Sequence, residues 1–456
     1  MSPSFGGTGS HAYRRESHIR RVKLRLQPAT IARNERAAIR RDYTLETEVN
    51  VSQPPEVLPR EILARTTRLL AELCAISSAS GDSGGLQTMA ARVAAELSAR
   101  GLSAEILPED DGDGGSLPLL VARGPRVGAH PLVLVGHLDT VLDAEPPRLE
   151  GDRLWATGAL DMKGGLAMLI GALDLLAQRG QRFPDDLMLV AVPDEEVSGH
   201  ISEKAVRRWS EGARVLLVIE PGEARGDGET LVAGRRGLTE WRLEVTGRAS
   251  HSGLAYWHGR SALAAAADWT AQAQAMSEGG SGATVNVARM VAGDSDFVNG
   301  LATHHVLLGT SRRRNVVSER ALAEGEARYL TPPDGVRIME RLTHLTERTA
   351  EEHEVSMVFS LGTSVPPVDP EGPGAPIAAL VTRLAAERGW HLEVEEDRGG
   401  ISFPNYIADP SKVPIADGLG PVGDGMHTRE EYLDLRSLER RIVLLADLLA
   451  ALADPA

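Results

Sequence analysis

The stretch Val133-Leu134-Val135-Gly136-His137-Leu138-Asp139-Thr140-Val141 decides how this chain is read. It opens as an apolar run of strand type and closes on a histidine and a carboxylate two residues apart. Side chains alternate along a strand, so His137 and Asp139 share one side at its C-terminal end. In open α/β sheets, ligands bind beyond that end of the strands. Alone, the pair is as consistent with a satisfied loop histidine beside an acid as with a functional site. Similar endings recur further along. Glu195 and Glu196 follow an apolar run in Val192-Pro193-Asp194-Glu195-Glu196, and Glu220 ends another in Val218-Ile219-Glu220-Pro221. Asp161 lies in a turn, Gly158-Ala159-Leu160-Asp161-Met162-Lys163-Gly164-Gly165, that opens a helix pattern, and His427 follows a glycine-rich loop in Gly423-Asp424-Gly425-Met426-His427-Thr428.

The same apolar runs set the fold class. Asp186–Val192 and Val215–Ile219 are continuous apolar segments that fit strands buried on both faces. They alternate with helix patterns, the longest apolar one over Gly164–Ala177, which implies an α/β sheet covered by helices. From about residue 238 the periodicity changes. Strand-like, helical, strand-like, strand-like, helical and extended segments follow in turn, the β-α-β-β-α-β order of a small two-layer α+β sandwich. This places an inserted domain at 238–362 within a larger domain formed by 57–237 and 363–456. Ahead of both, residues 1–56 read as a basic, disordered or loosely helical extension: His11 to Asp42 carries ten Arg or Lys against three acids.

Composition excludes several classes. The 456 residues exceed one ordinary core, and a 42% hydrophobic, 25% charged make-up is that of a soluble globular protein. A formal net charge of −15 provides no general basic field for phosphates, which argues against a nucleic-acid partner. No run of about 18 apolar residues suggests a membrane span. The single cysteine, Cys74, sits in a helix-like apolar context and reads as a buried thiol. The first residues are polar and have no apolar core of a signal peptide, so a cytoplasmic location is expected.

Two histidines and several carboxylates without a ligating cysteine suit Zn²⁺, with Co²⁺ or Mn²⁺ as alternatives, rather than a structural thiolate site. His137, Asp161, Glu196, Glu220 and His427 supply about six ligand bonds for two ions if Asp161 bridges them. Of the adjacent Glu195 and Glu196, one can ligate while the other stays free as a base. Such a site lowers the pKa of a bridging water, polarises a carbonyl and stabilises the developing oxyanion. Asp139 then accepts a hydrogen bond from the non-ligating nitrogen of His137 and fixes its tautomer. Each acid taken singly is consistent with a solvated surface residue; the joint pattern carries the argument.

These motifs, together with Gly247-Arg248-Ala249-Ser250-His251-Ser252-Gly253, resemble the co-catalytic zinc peptidases of the M20 family over about residues 60–456. That group includes glutamate carboxypeptidases, acetylornithine deacetylases, succinyl-diaminopimelate desuccinylases and aminoacylases. The resemblance is nearest to the glutamate carboxypeptidase branch, through Arg235-Arg236-Gly237 and Asp417-Gly418-Leu419-Gly420-Pro421-Val422-Gly423. It implies a catalytic domain with a mixed sheet and an inserted dimerisation or lid domain. It further implies two Zn²⁺ per subunit, His137 and Glu220 on one, Glu196 and His427 on the other, with Asp161 shared and Glu195 as general base. It implies a homodimer in which His251 reaches into the partner's site, and substrate contacts from Asn315, Arg328, Gly399 and Gly400.

The chain departs from that branch at two places. Leu361-Gly362-Thr363-Ser364-Val365-Pro366-Pro367 has no arginine where the family has a Gly-Arg-Pro stretch that grips a substrate carboxylate. Gly399-Gly400-Ile401-Ser402-Phe403-Pro404 places Phe403 and Pro404 where the family has a small residue and an aspartate in a loop lining the pocket. Both departures point to a less anionic substrate, or to a carboxylate held by Arg398 or Arg328 instead. The expected activity is cleavage of an amide or peptide bond in a small N-acyl amino acid or dipeptide-like substrate. The alternatives are deacylation of a biosynthetic intermediate and a non-hydrolytic binding relative.

Overall fold

The computed structural model describes residues 58–112, 114–304 and 315–453. The basic extension expected at 1–56 lies outside the described residues. A six-stranded mixed sheet forms the larger layer, in the order Ser103–Asp110, Ser116–Arg123, Leu187–Val192, Leu132–His137, Val215–Val218, Ile415–Ala416. The last four strands are mutually parallel, and only Ser116–Arg123 is reversed, antiparallel to both of its neighbours. The three central strands are buried along their whole length, as their unbroken apolar sequences require. Helix Gly164–Gln178 is apolar nearly all round and is correspondingly buried, packed between helices Arg60–Cys74 and Leu435–Ala451. Cys74 is a buried free thiol.

A second, four-stranded sheet is antiparallel throughout, in the order Thr284–Gly293, Arg320–Tyr329, Gly237–Thr246, Ser356–Val365. Gly237–Thr246 alternates buried and more exposed positions, the mark of a sheet with one covered face. Helices Ala262–Gln274 and Pro332–His353 cover it and close a separate core around Trp241, Leu243, Val245, Trp269 and Leu342. The indole of Trp269 donates to Thr346 Oγ1 at 3.0 Å, so its buried N–H is satisfied. A further helix, Ser295–His304, lies in the chain between strands Thr284–Gly293 and Arg320–Tyr329.

Two small sheets that the sequence does not announce join the C-terminal segment to the rest. Tyr432–Asp434 pairs with Arg153–Trp155 and with Gly423–Asp424, making the hairpin that carries His427. Leu392–Glu395 pairs with Gly228–Val232. The last helix is fastened to that second sheet by charge. Arg441, 1% exposed, donates from Nε to Glu229 Oε2 at 2.6 Å and from Nη2 to Thr230 O at 2.8 Å. Burial by itself would raise the Glu229 carboxyl, but Arg441 and Arg440 outweigh it and hold the group below its usual value. Glu229→Gln leaves Arg441 buried without its counter-charge, and we expect a loss of about 3–5 kcal/mol in urea unfolding at pH 7. Because the folded pKa is depressed, this stabilisation is complete above the unfolded carboxyl value of about 4.3 and lost as pH falls through the folded one. The gap between variant and wild type should therefore close on acidification; a gap constant with pH would contradict the assignment.

Candidate metal centre

The register of the parallel strands brings the acids and His137 together. His137 lies opposite Val192, and Val135 lies opposite Val218. The residues just past these strand ends, Glu195, Glu196 and Glu220, therefore emerge beside His137 at one edge of the sheet. Asp161 arrives from the turn Ala159–Lys163 that precedes the long apolar helix, with the Asp161–Met162 peptide cis. His427 arrives from the C-terminal hairpin, in a left-handed conformation with φ 63°.

The two carboxylate oxygens of Asp161 face different histidines. Oδ1 is 3.1 Å from His137 Nε2, and Oδ2 is 3.3 Å from His427 Nε2. Each histidine has a second acid: Glu220 Oε1 at 3.8 Å from His137 Nε2, and Glu196 Oε2 at 3.0 Å from His427 Nε2. Glu195 is near as well, since ligand atoms of His137, Glu195 and Glu220 fall within 4.8 Å of one another. Distance therefore does not separate Glu195 from the other carboxylates.

Asp139 holds more of the site than its histidine. It is 1% exposed; its backbone carbonyl lies 3.0 Å from His137 Nδ1 and its Oδ1 lies 3.3 Å from the same nitrogen. Its carboxylate also accepts from the backbone N–H of Glu195 at 3.2 Å and of Glu196 at 3.1 Å, and from Ser80 Oγ at 2.8 Å. One buried acid thus orients the imidazole and fixes the main chain of both glutamates. On the other side of the strand Met162 Sδ accepts from His137 N at 3.0 Å. Gly136 permits that approach, because a Cβ there would sit 2.6 Å from Met162 Cε.

The charge balance of the cluster calls for a cation. Burial, and then the neighbouring Asp161, push the Glu196 carboxyl up to about 8. Burial pushes Glu220 well above the carboxylate range, and the positive end of His137 only partly opposes it. Burial also disfavours the His137 imidazolium, yet Glu220, Asp139 and Asp161 outweigh it and raise the group well above its usual value. The hydrogen bond to Asp161 lifts His427 to about 9. Protons are thus drawn into a buried set that holds more carboxylates than its two imidazoles can neutralise. A divalent ion at each histidine would supply that charge, and the donors are all of the nitrogen and oxygen type that Zn²⁺, Co²⁺ and Mn²⁺ accept.

The remaining expected residues make their contacts outside this cluster. His251 Nδ1 accepts from the N–H of Gly253 and of Leu254, each at 3.1 Å, and its Nε2 is 3.3 Å from Asn315 Nδ2. Arg328 Nη1 donates to Gly399 O at 2.7 Å, and Gly400 O accepts from Arg235 Nη1 at 2.9 Å. Arg398 is paired with Glu395 at 2.7 Å and Glu223 at 3.1 Å, much as Arg328 is paired with Glu326 at 2.8 Å, so ion pairing does not single out either arginine. One sequence-based expectation about the substrate pocket is corrected. Phe403 does not line an open pocket: Ser402 starts a one-turn helix, Phe403–Tyr406, whose residues are all buried, and the Phe403 ring packs 6.3 Å from that of His137. The sequence reading also passed over Glu431. It sits in the charge run Arg429-Glu430-Glu431, which reads as a solvated face, yet it is 3% exposed. Its only sequence signal is a spacing of four from His427.

The chain as a whole has known relatives. The model of peptidase family M20/M25/M40 matches residues 133–451. Carboxypeptidase G2 of Pseudomonas sp. (strain RS-16) is 27% identical over 398 residues, covering 84% of this chain and 88% of its own length. A succinyl-diaminopimelate desuccinylase of Methylibium petroleiphilum is 25% identical over 398 residues, covering 84% and 95%. Among solved structures, aminopeptidase PepT of Bacillus cereus superposes with a TM-score of 0.68 at 19% identity, covering 85% of this chain and 98% of its own. The YXEP protein of Bacillus subtilis, a dinuclear metal-binding peptidase of the M20 family, gives 0.59 at 16%, covering 86% and 98%. These two likenesses concern the fold, a mixed sheet with an inserted small domain. Running from the His137 strand to the last helix, the family match covers every residue of the cluster, and the chain belongs to peptidase family M20/M25/M40.

Proposed function

We propose that the chain is a two-metal amidohydrolase that cleaves the amide or peptide bond of a small N-acyl amino acid or dipeptide-like substrate. The observation that carries this reading is the split use of Asp161, one oxygen towards His137 at 3.1 Å and the other towards His427 at 3.3 Å. Each histidine with its own glutamate, plus the shared aspartate, makes one of two equivalent poles. Zn²⁺ is the ion the donors suit, and a bound pair would lower the pKa of a water between them and polarise the substrate carbonyl. Glu195 is the general base: it takes a proton from the attacking water as the C–O bond forms and returns it to the nitrogen as the C–N bond breaks. Its burial pushes the carboxyl up from its usual value. The named activities of the carboxypeptidase and desuccinylase relatives support hydrolysis of an acylated amine and leave the acyl group open. Metal content, together with a screen of N-acyl amino acids and dipeptides followed by mass spectrometry of the products, tests the reading. A chain that binds no divalent ion and cleaves none of them would end it.

The same reading includes a homodimer through the inserted domain. Nδ1 of His251 is taken up by two backbone N–H groups, which leaves Nε2, 3.3 Å from Asn315 Nδ2, as the nitrogen that would meet a substrate oxygen. No hydrogen bond or ion pair joins His251 to the metal cluster among the described residues, and in this reading a partner copy supplies it. The loop around it is apolar and exposed, with Leu254 at 87% and Trp257 at 85%, as a contact surface would be. We expect His251→Ala and Glu195→Gln each to inactivate their own dimers. Mixing the two allows one intact site per mixed dimer, and activity should return to about a quarter of the wild-type rate. Absence of recovery after verified subunit exchange would refute the shared site.

A further inference from the structure

The turn that carries Asp161 cannot satisfy its own backbone. Gly158 is left-handed at φ 74°, and Asp161 and Met162 depart from helical geometry, so the N–H groups of Gly158, Leu160 and Asp161 point to one spot instead of along a helix. Converging backbone N–H groups of this kind form a concavity for an anion. The Glu431 carboxylate fills it. Oε2 accepts from Gly158 N at 2.8 Å; Oε1 accepts from Leu160 N at 2.8 Å and from Asp161 N at 3.0 Å. The backbone of Glu431 joins in, with its carbonyl accepting from Ala156 N at 3.1 Å.

Glu431 also stands between His427 and the strand Tyr432–Asp434, which is paired with Arg153–Trp155 just ahead of the turn. A single residue therefore clamps the segment bearing His427 onto the segment bearing Asp161. A charged side chain is an expensive choice for tying a loop, since an Asn or Ser would satisfy one or two N–H groups without burying an ion. What the carboxylate adds is three charge-assisted bonds that fix the turn and hence the direction of both Asp161 oxygens.

We propose that Glu431 is a positioning residue for the shared ligand Asp161: it sets the Asp161 carboxylate between His137 and His427 so that one group serves both poles. The inference rests on the two-metal reading above. Co²⁺ titration of the full chain, followed by calorimetry and by the visible absorption of the bound ion, tests it. In Glu431→Gln the amide oxygen can still serve Leu160 and Asp161, while the NH₂ group faces the N–H of Gly158, so the turn must shift. We expect Co²⁺ affinity to fall about 10- to 100-fold, with an altered absorption spectrum. Saturating Co²⁺ should restore most of kcat on any substrate the screen identifies. Should Glu431→Gln not fold, Glu431→Asp keeps the charge but is one methylene too short to reach all three donors, and the same shift is expected. A role confined to stability would lower the melting temperature and leave affinity and spectrum at wild-type values, and that result overturns the proposal. Wild-type protein that takes up no Co²⁺ overturns the two-metal reading and this inference with it, whereas normal wild-type uptake with an unperturbed variant overturns the inference alone.

Discussion

Glu195→Gln is expected to lower kcat by about 10²- to 10⁴-fold while the protein keeps its full metal content. The amide has the shape of the acid but cannot accept a proton, so it removes the base with little other change. Metal should stay because the side chain of residue 195 is not what positions its neighbour. The main chain at both 195 and 196 is held by Asp139, through N–H bonds of 3.2 and 3.1 Å, and Glu196 keeps its place 3.0 Å from His427. KM should change little, since the lost interaction belongs to proton transfer and not to ground-state binding. The pH profile offers a second reading. A base must be unprotonated to act, so the acidic limb of kcat/KM that reports its protonation should vanish in the variant. Unchanged turnover with metal bound would take Glu195 out of the mechanism.

The elements that present the cluster were legible in the sequence because each announces itself locally. His137, Glu195, Glu196 and Glu220 all follow unbroken apolar runs, and an apolar run long enough for a buried strand has a readable end. Asp161 stands at the glycine-rich start of a helix whose apolar character is plain. The groups that steady these residues were not legible. Ser80 and Glu431 act on partners 59 and 270 residues distant, through contacts that follow from loop shape and leave no period. The hairpin around His427 is built from strands of two and three residues, too short for alternation to show. The Phe403 segment failed for a different reason. Its apolar residues stand where a resemblance places a pocket wall, but a capped turn sends them inward, and only the fold shows which way a short apolar segment faces. Arg328 and Arg398 each carry an acid partner, Glu326 and Glu395, which no local pattern in the sequence shows.

Removing the ions should cost folding stability as well as activity, and Glu220 separates the two effects. A ligand that binds only the folded state, present at about a thousand times its Kd, stabilises by about 4 kcal/mol per site, so chelation should lower the melting temperature and abolish hydrolysis together. Re-addition of Zn²⁺, Co²⁺ or Mn²⁺ should restore both. The metal-free protein carries a penalty of its own. Glu220 is 7% exposed, and burial raises its carboxyl well above the usual range; His137 opposes this, and Asp161, Glu195 and Asp417 add to it. A carboxyl whose folded pKa lies above the unfolded value of about 4.3 favours the fold below that value and loses the advantage as pH rises towards the folded one. Metal-free wild type should therefore weaken from pH 5 to pH 8 more than metal-free Glu220→Gln, whose side chain is neutral throughout. With metal the order should invert, because the variant lacks one anionic ligand and gains little from the ions. The opposed responses distinguish a ligand from a structural acid: a structural Glu220 would make the variant less stable in both states, and its ion-induced rise in melting temperature would match that of wild type.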